Sequence, residues 1–202
     1  MSFIFSEPPK CNVPMDVTFV LDSSGNVKED EFEKEKAFVK SVANTLSIAS
    51  YASHAALVSY NDVATVHAKL TDYTNFEEFL PAVDKIMHTP GGSRIDQALL
   101  LSNRSVFTTE AGMRNNIPRM LILLTAGRQE EESESPPLKA VVEPLKRKNT
   151  ELTVVGIGKN VNSEQMLSLV EDHRDFHLVN TFSDLALLSR LISEDACDRV
   201  GK

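Results

Sequence analysis

Short β-rich runs alternate with helix-length segments along the whole chain, and this alternation limits the fold more than any other feature. Asp16 to Leu21 is a β-rich run, and Lys28 to Ala49 then sets Phe32, Val39, Val42, Ala43 and Leu46 at helical spacing. Ala55 to Tyr60 and Ala64 to Leu70 are short strand candidates separated by Asn61-Asp62, a pair suited to a tight hairpin. Helices are expected over Phe76 to Met87, where Pro81 either kinks the helix or marks its start, and over Ile95 to Phe107. The run MLILLTA, Met120 to Ala126, is the most strand-like in the chain and belongs at a sheet centre. Leu138 to Lys148 (with Pro144 inside it), Leu152 to Ile157, Glu164 to Glu171, Phe176 to Val179 and Leu185 to Ile192 continue the alternation. Strands joined through helices of this length make right-handed βαβ crossovers. The expected fold is therefore α/β and doubly wound. Its central sheet is mostly parallel, with one antiparallel edge strand and helices on both faces.

No linker divides the 202 residues and no repeat appears, so one domain is expected, long enough to bury a core without a metal or disulfide. The acidic stretch EEESESPP, Glu130 to Pro137, reads as a solvated loop. The opening MSFIFSEPPK has no basic segment and only a three-residue apolar core, so residues 1–10 are expected to be an extension or expression remnant rather than an intact signal peptide. A net charge of −8 disfavours nucleic acid and anionic membrane as partners, and no apolar run approaches the roughly 20 residues that cross a bilayer. The two cysteines, Cys11 and Cys197, lie near opposite ends. They are either two free thiols or a clasp between the termini, and a clasp implies an oxidising compartment.

In open sheets of this kind, ligands sit beyond the carboxyl ends of the strands, at the switch in strand order. That rule selects the loops after Leu21, around Gly91 to Asp96, and after Thr125. The first loop places Asp22, Ser24 and Asn26 at alternate positions. Such oxygens suit a hard divalent cation, and Ser24 or Asn26 would equally serve to cap the following helix. Enzyme readings fail on specific residues. A phosphatase-like Asp22 needs a second carboxylate where Ser24 stands. Gly91-Gly92-Ser93-Arg94-Ile95 lacks the last glycine of a nucleophile elbow. Around Gly156-Ile157-Gly158-Lys159, Thr153 and Asn160 exclude a Walker loop, and Val161 excludes a dinucleotide fingerprint. The five histidines lack metal-ligand spacing apart from His173 and His177, which straddle an expected helix–strand boundary.

The residues DVTFVLDSSGNV resemble the opening of a von Willebrand factor type A domain, an apolar strand ending in Asp-x-Ser-x-Ser. The segment GGSRIDQALLLSNRSVFTTEAGMRNNIPRMLILLTAG is similar to the middle of that family, and VVGIG to its next strand. The resemblance runs from about Cys11 to Asp198 and is nearest in style to domains of matrilin and collagen VI type. It places the domain at residues 11–198, with 199–202 as a tail, and it implies that the flanking Cys11 and Cys197 close the domain. It further implies a metal-ion-dependent adhesion site, MIDAS, holding Mg2+ (or Mn2+ or Ca2+) and formed by three loops. Asp22 and Ser24 match its first motif, Asn26 stands in place of Ser, and Ser93 stands in place of Thr. Ala126 replaces the expected Asp, so the motif supplies one carboxylate, and any metal is expected to be weak or ligand-dependent. Glu130, Glu131 and Asp96 are candidate accessory acids, with Asp96 expected to cap a helix or face solvent. The implied function is a non-enzymatic, secreted adhesion or matrix module whose partner is another extracellular protein, collagen being favoured. A metal-independent structural or assembly role, beside neighbouring domains of a larger protein, is the alternative. Asn103-Arg104-Ser105 is a sequon that would suit a secreted glycoprotein.

Overall fold

The computed structural model of the chain describes residues 11, 13–129 and 135–200. Its strands are β1 (Asp16–Asp22), β2 (His54–Tyr60), β3 (Ala64–Ala68), β4 (Arg119–Thr125), β5 (Thr150–Ile157) and β6 (Phe176–Val179). They form one sheet in the order β3-β2-β1-β4-β5-β6. All neighbours are parallel except β2 and β3, the antiparallel hairpin at one edge. Strand order reverses between β1 and β4, so their carboxyl ends, Asp22 and Thr125, border the crevice.

The helices are α1 (Glu29–Thr45), α2 (Phe76–Asp84), α3 (Ile95–Leu101), α4 (Leu138–Arg147), α5 (Ser163–Leu167) and α6 (Leu185–Val200). Both sheet faces are covered, so the alternating side chains of each strand enter two separate cores. Val17, Phe19 and Leu21 pack with Phe32, Val39, Phe79 and Leu188 on the side of α1, α2 and α6. Val20, Leu121 and Leu123 pack with Leu99, Val142 and Met166 on the side of α3, α4 and α5. Burial on both faces explains why the central strands read as nearly unbroken apolar runs.

Several boundaries differ from the sequence expectation, each for a local reason. The first helix stops at Thr45 rather than Ala49, because Ser47 takes a left-handed φ of 56°. The expected Ile95–Phe107 helix begins as α3 and finishes as one π-helical turn, Ser102–Val106. Pro81 and Pro144 both lie inside their helices, so Pro81 does not mark a start. The last helix, α6, runs well past Ile192 and carries Cys197.

Two ties hold the end of the sheet opposite the crevice. Buried Asp16 accepts the Arg114 backbone N–H and Nε, each at 2.8 Å. Cys11 and Cys197 form a disulfide with Cα atoms 5.5 Å apart, and the Cys11 N–H donates to the Thr45 carbonyl at the end of α1. A link across 186 residues restricts the unfolded chain, worth about 5 kcal/mol in the loop-entropy model. Reduction, or Cys197→Ser, is therefore expected to lower the urea unfolding midpoint markedly and to steepen the slope as the unfolded chain expands, measured by circular dichroism with and without dithiothreitol.

Candidate functional site

Three loops meet above the carboxyl ends of β1 and β4. Asp22 ends β1 and is fully buried. Its Oδ1 accepts the Ser24 N–H at 3.0 Å and its Oδ2 accepts the Ala126 N–H at 2.9 Å, so one carboxylate ties the first loop to the third. Gly25 donates its N–H to the Gly91 carbonyl at 2.8 Å, tying the first loop to the second. That glycine has no left-handed φ. Ser23 turns away from the site, accepting the Thr89 N–H at 2.7 Å.

Neither Ser24 nor Asn26 caps α1, which settles that sequence alternative. The Lys28 N–H at the helix start donates instead to Glu31 Oε2 at 2.9 Å. Ser24 Oγ accepts from the Asn26 N–H and from Asn26 Nδ2, both at 3.3 Å. Ser93 is fully buried and its Oγ has no hydrogen-bond partner, an unsatisfied hydroxyl of the kind that buried sites seldom leave. The loops converge at Gly127: a Cβ there would lie 2.4 Å from Asn26 Nδ2 and 3.6 Å from Ser93 Oγ. A side chain at Gly127 would displace the Asn26 amide while leaving Ser93 at ordinary contact distance.

Beneath these loops lies an acid that inspection of motifs missed. Glu35 of α1 is fully buried; its Oε2 accepts the Asp22 N–H at 2.9 Å and its Oε1 has no partner. Burial, and then the Asp22 charge, pushes its carboxyl well above the ordinary glutamate value. Burial also raises Asp22, against the lowering effect of its hydrogen bonds. Tyr60, paired with Asp22 in the β1–β2 register, lies beside the same carboxylate and donates to the Leu124 carbonyl at 3.1 Å. The signal for Glu35 was present, since it lies three residues after Phe32 and four before Val39 on the apolar stripe of α1.

Asp96 requires a correction: it neither faces solvent nor remains available as an accessory acid. It is fully buried and takes Arg94 as a fork, Nε to Oδ1 at 2.9 Å and Nη2 to Oδ2 at 2.8 Å. Gln129 Nε2 donates to Oδ1 at 2.7 Å, and Gln129 Oε1 accepts the Asp96 N–H at 3.0 Å. Burial alone would raise this carboxyl, but the Arg94 and Gln129 hydrogen bonds and the Arg94 charge hold it below the usual range. Glu130 and Glu131, the other accessory candidates, lie outside the described residues. Asn103 of the sequon is half-buried in the π-helical turn, with Oδ1 sealed from solvent.

A doubly wound sheet with loops stapled over its switch point is the arrangement in which open α/β domains place their ligands. The family model for the von Willebrand factor type A domain matches residues 16–192, and the chain belongs to this family. Matrilin-3 of Gallus gallus is 27% identical over 191 residues, covering 92% of this chain and 41% of matrilin-3. Human cochlin is 26% identical over 157 residues, covering 78% of this chain and 27% of cochlin. The chain thus spans about two fifths or less of these relatives. Proximal thread matrix protein 1 from the mussel byssus shares the fold, with a TM-score of 0.87 at 20% identity over 93% of this chain and 49% of that one. Another structure of the byssus protein has a zinc-occupied MIDAS motif.

The raised Glu35 gives a pH signature with a definite sign. A carboxyl whose folded pKa exceeds its unfolded value contributes stability below about 4.5, which is lost as pH rises toward the folded pKa. Each unit of that rise removes about 1.4 kcal/mol by the alkaline end. Glu35→Gln is expected to flatten this fall and to be more stable than the parent above neutral pH, as read by urea unfolding across pH 4 to 9.

Proposed function

We propose that this chain is a non-enzymatic, secreted protein-interaction module of the extracellular matrix, engaging another protein through the three loops above β1 and β4. The observation that carries this is the unpartnered Ser93 hydroxyl, held beside Asn26 and Gly127 on a face stapled by Asp22. The module is taken as residues 11–198 closed by the Cys11–Cys197 disulfide, which suits an oxidising compartment. The similarity to matrilins supports a matrix setting, and collagen is the favoured partner on the resemblance. Neighbouring domains of a longer protein are consistent with the short span of the relatives that is matched.

The site's own atoms bear on whether a divalent cation fits. An orphaned hydroxyl, a serine, an asparagine and one carboxylate are hard oxygen donors of the right kind. A half-turn of the Asn26 amide would present its oxygen in place of Nδ2. Asp22, Ser24, Asn26 and Ser93 would hold Mg2+, Mn2+ or Ca2+, and the Ala126 methyl leaves about one positive charge uncompensated. A bound cation would supply Lewis acidity toward a partner carboxylate, and the two would then bind in a mutually dependent way. The zinc-occupied MIDAS of the byssus protein supports the capacity of this loop arrangement for a dication. One observation favours the second reading, a metal-independent structural or assembly contact. Both Asp22 oxygens already accept backbone N–H groups without any cation.

Ala126→Asp separates these readings. Titration calorimetry with Mg2+ and Mn2+ is expected to show little heat for the parent alone and at least tenfold tighter binding for the variant. Binding of the parent to immobilised collagen is expected to fall in EDTA and in Asp22→Ala. Absence of ion heat in both proteins, with collagen binding indifferent to EDTA, would falsify the metal-assisted reading and leave the metal-independent one.

A further inference from the structure

We propose that the hollow beside the third loop is a metal-independent receptor for an acidic side chain of the protein partner, built around Arg128. The inference rests on the reading that this loop face is the binding face, and it names the chemistry the face selects. The hollow, about 430 Å³, is lined among the described residues by Asn26, Gly127, Arg128 and Asn160: one cation, two carboxamides and a bare glycine. Arg128 is exposed, and no hydrogen bond or ion pair involves it among the described residues. Its guanidinium is a rigid fork of N–H donors that matches a carboxylate bidentately.

Two further polar groups lie close to Gly127, one lining the hollow and one buried behind it. With no side chain at Gly127, Asn26 Nδ2 and the Ser93 hydroxyl both approach the backbone there, and Ser93 Oγ is buried without an acceptor. The change at position 126 works in the same direction. A carboxylate there would repel an incoming acid at short range in a poorly screened site, whereas the methyl of Ala126 does not. The acid that remains, Asp22, is buried with each oxygen already engaged by a backbone N–H. The residue that weakens a cation site therefore favours an anion at the same loops. The molecule's net charge of −8 opposes the approach of acidic partners at long range, so the hollow acts by short-range recognition rather than by steering.

The test uses the full chain in EDTA, titrated with a hexaglutamate peptide and with hexaglutamine as the neutral control. Proton–nitrogen correlation spectra are expected to show hexaglutamate shifting the Arg128 Nε–H and the Gly127 and Asn160 amide signals, weakened by added salt, with hexaglutamine inert. Arg128→Gln should weaken binding at least tenfold, Arg128→Lys by less, and Asn160→Glu should abolish it; both positions of change are exposed, and circular dichroism checks the fold. Changing Glu130, Glu131 and Glu132 to Gln removes the acids that follow Arg128 in sequence, and binding should be equal or tighter. Unaltered peptide binding in Arg128→Gln, shifts confined to another face, or loss of binding in the triple Gln variant would overturn the proposal. Collagen binding by Asp22→Ala is read in parallel. If that assay shows no role for the loop face while the peptide results hold, the receptor stands and the matrix reading falls; the converse removes the receptor alone.

Discussion

The buried carboxylate of Asp22 is the contact on which the loop face depends. It ends β1 at the switch in strand order and uses one oxygen for the first loop and the other for the third. A buried acid is costly unless hydrogen bonds offset its desolvation, and these two N–H donors supply one to each oxygen. The same arrangement has a second consequence. Because the donors come from backbone, the first and third loops hold their relative position whatever occupies the space above them.

A parallel but distinct tie joins the second loop to the third. Arg94, Asp96 and Gln129 form a buried set in which each carboxylate oxygen of Asp96 receives a donor from Arg94. Together with the Gly25–Gly91 contact, this makes the three loops one rigid rim rather than three independent segments. Rigid rims suit recognition, since little conformational entropy is then lost on binding. The Cys11–Cys197 disulfide and the Asp16–Arg114 pair stabilise the opposite end of the sheet, while at the carboxyl end the buried Ser93 hydroxyl has no partner.

The balance of charge at the rim decides what kind of ligand it selects. Asp22 is raised by burial and Glu35 is raised further, so acidity beneath the rim is muted. Ala126 adds none above it, while Arg128 and the carboxamides of Asn26 and Asn160 face an open hollow. On the two proposed readings, a metal would take the oxygens of Asp22, Ser24, Asn26 and Ser93, and a partner acid the N–H groups of Arg128 and Asn26. The readings share a ligand chemistry, a carboxylate, and differ in whether a cation stands between it and the protein.

The alternation of apolar strands and amphipathic segments was enough to predict the doubly wound sheet, because period and length report burial directly. Asp22, Ser24 and Asn26 were legible as a row of oxygens at the end of the first strand, whereas Ser93 and the change at Ala126 were marked only by the resemblance to von Willebrand factor type A domains. Glu35 was legible in principle from its place on the α1 stripe, yet a lone glutamate in a helix reads as exposed until its neighbours are known. The fate of Asp96 was not legible: its partner Gln129 is 33 residues away, and only the packing of α3 against the third loop brings them together. The same holds for Ser93 and Asn26 meeting over Gly127. Local sequence determined the elements and the identity of the polar groups at their ends. Tertiary structure alone decided which of those groups neutralise one another and which are left with donors unspent, because hydrogen bonding depends on distance in space and not along the chain.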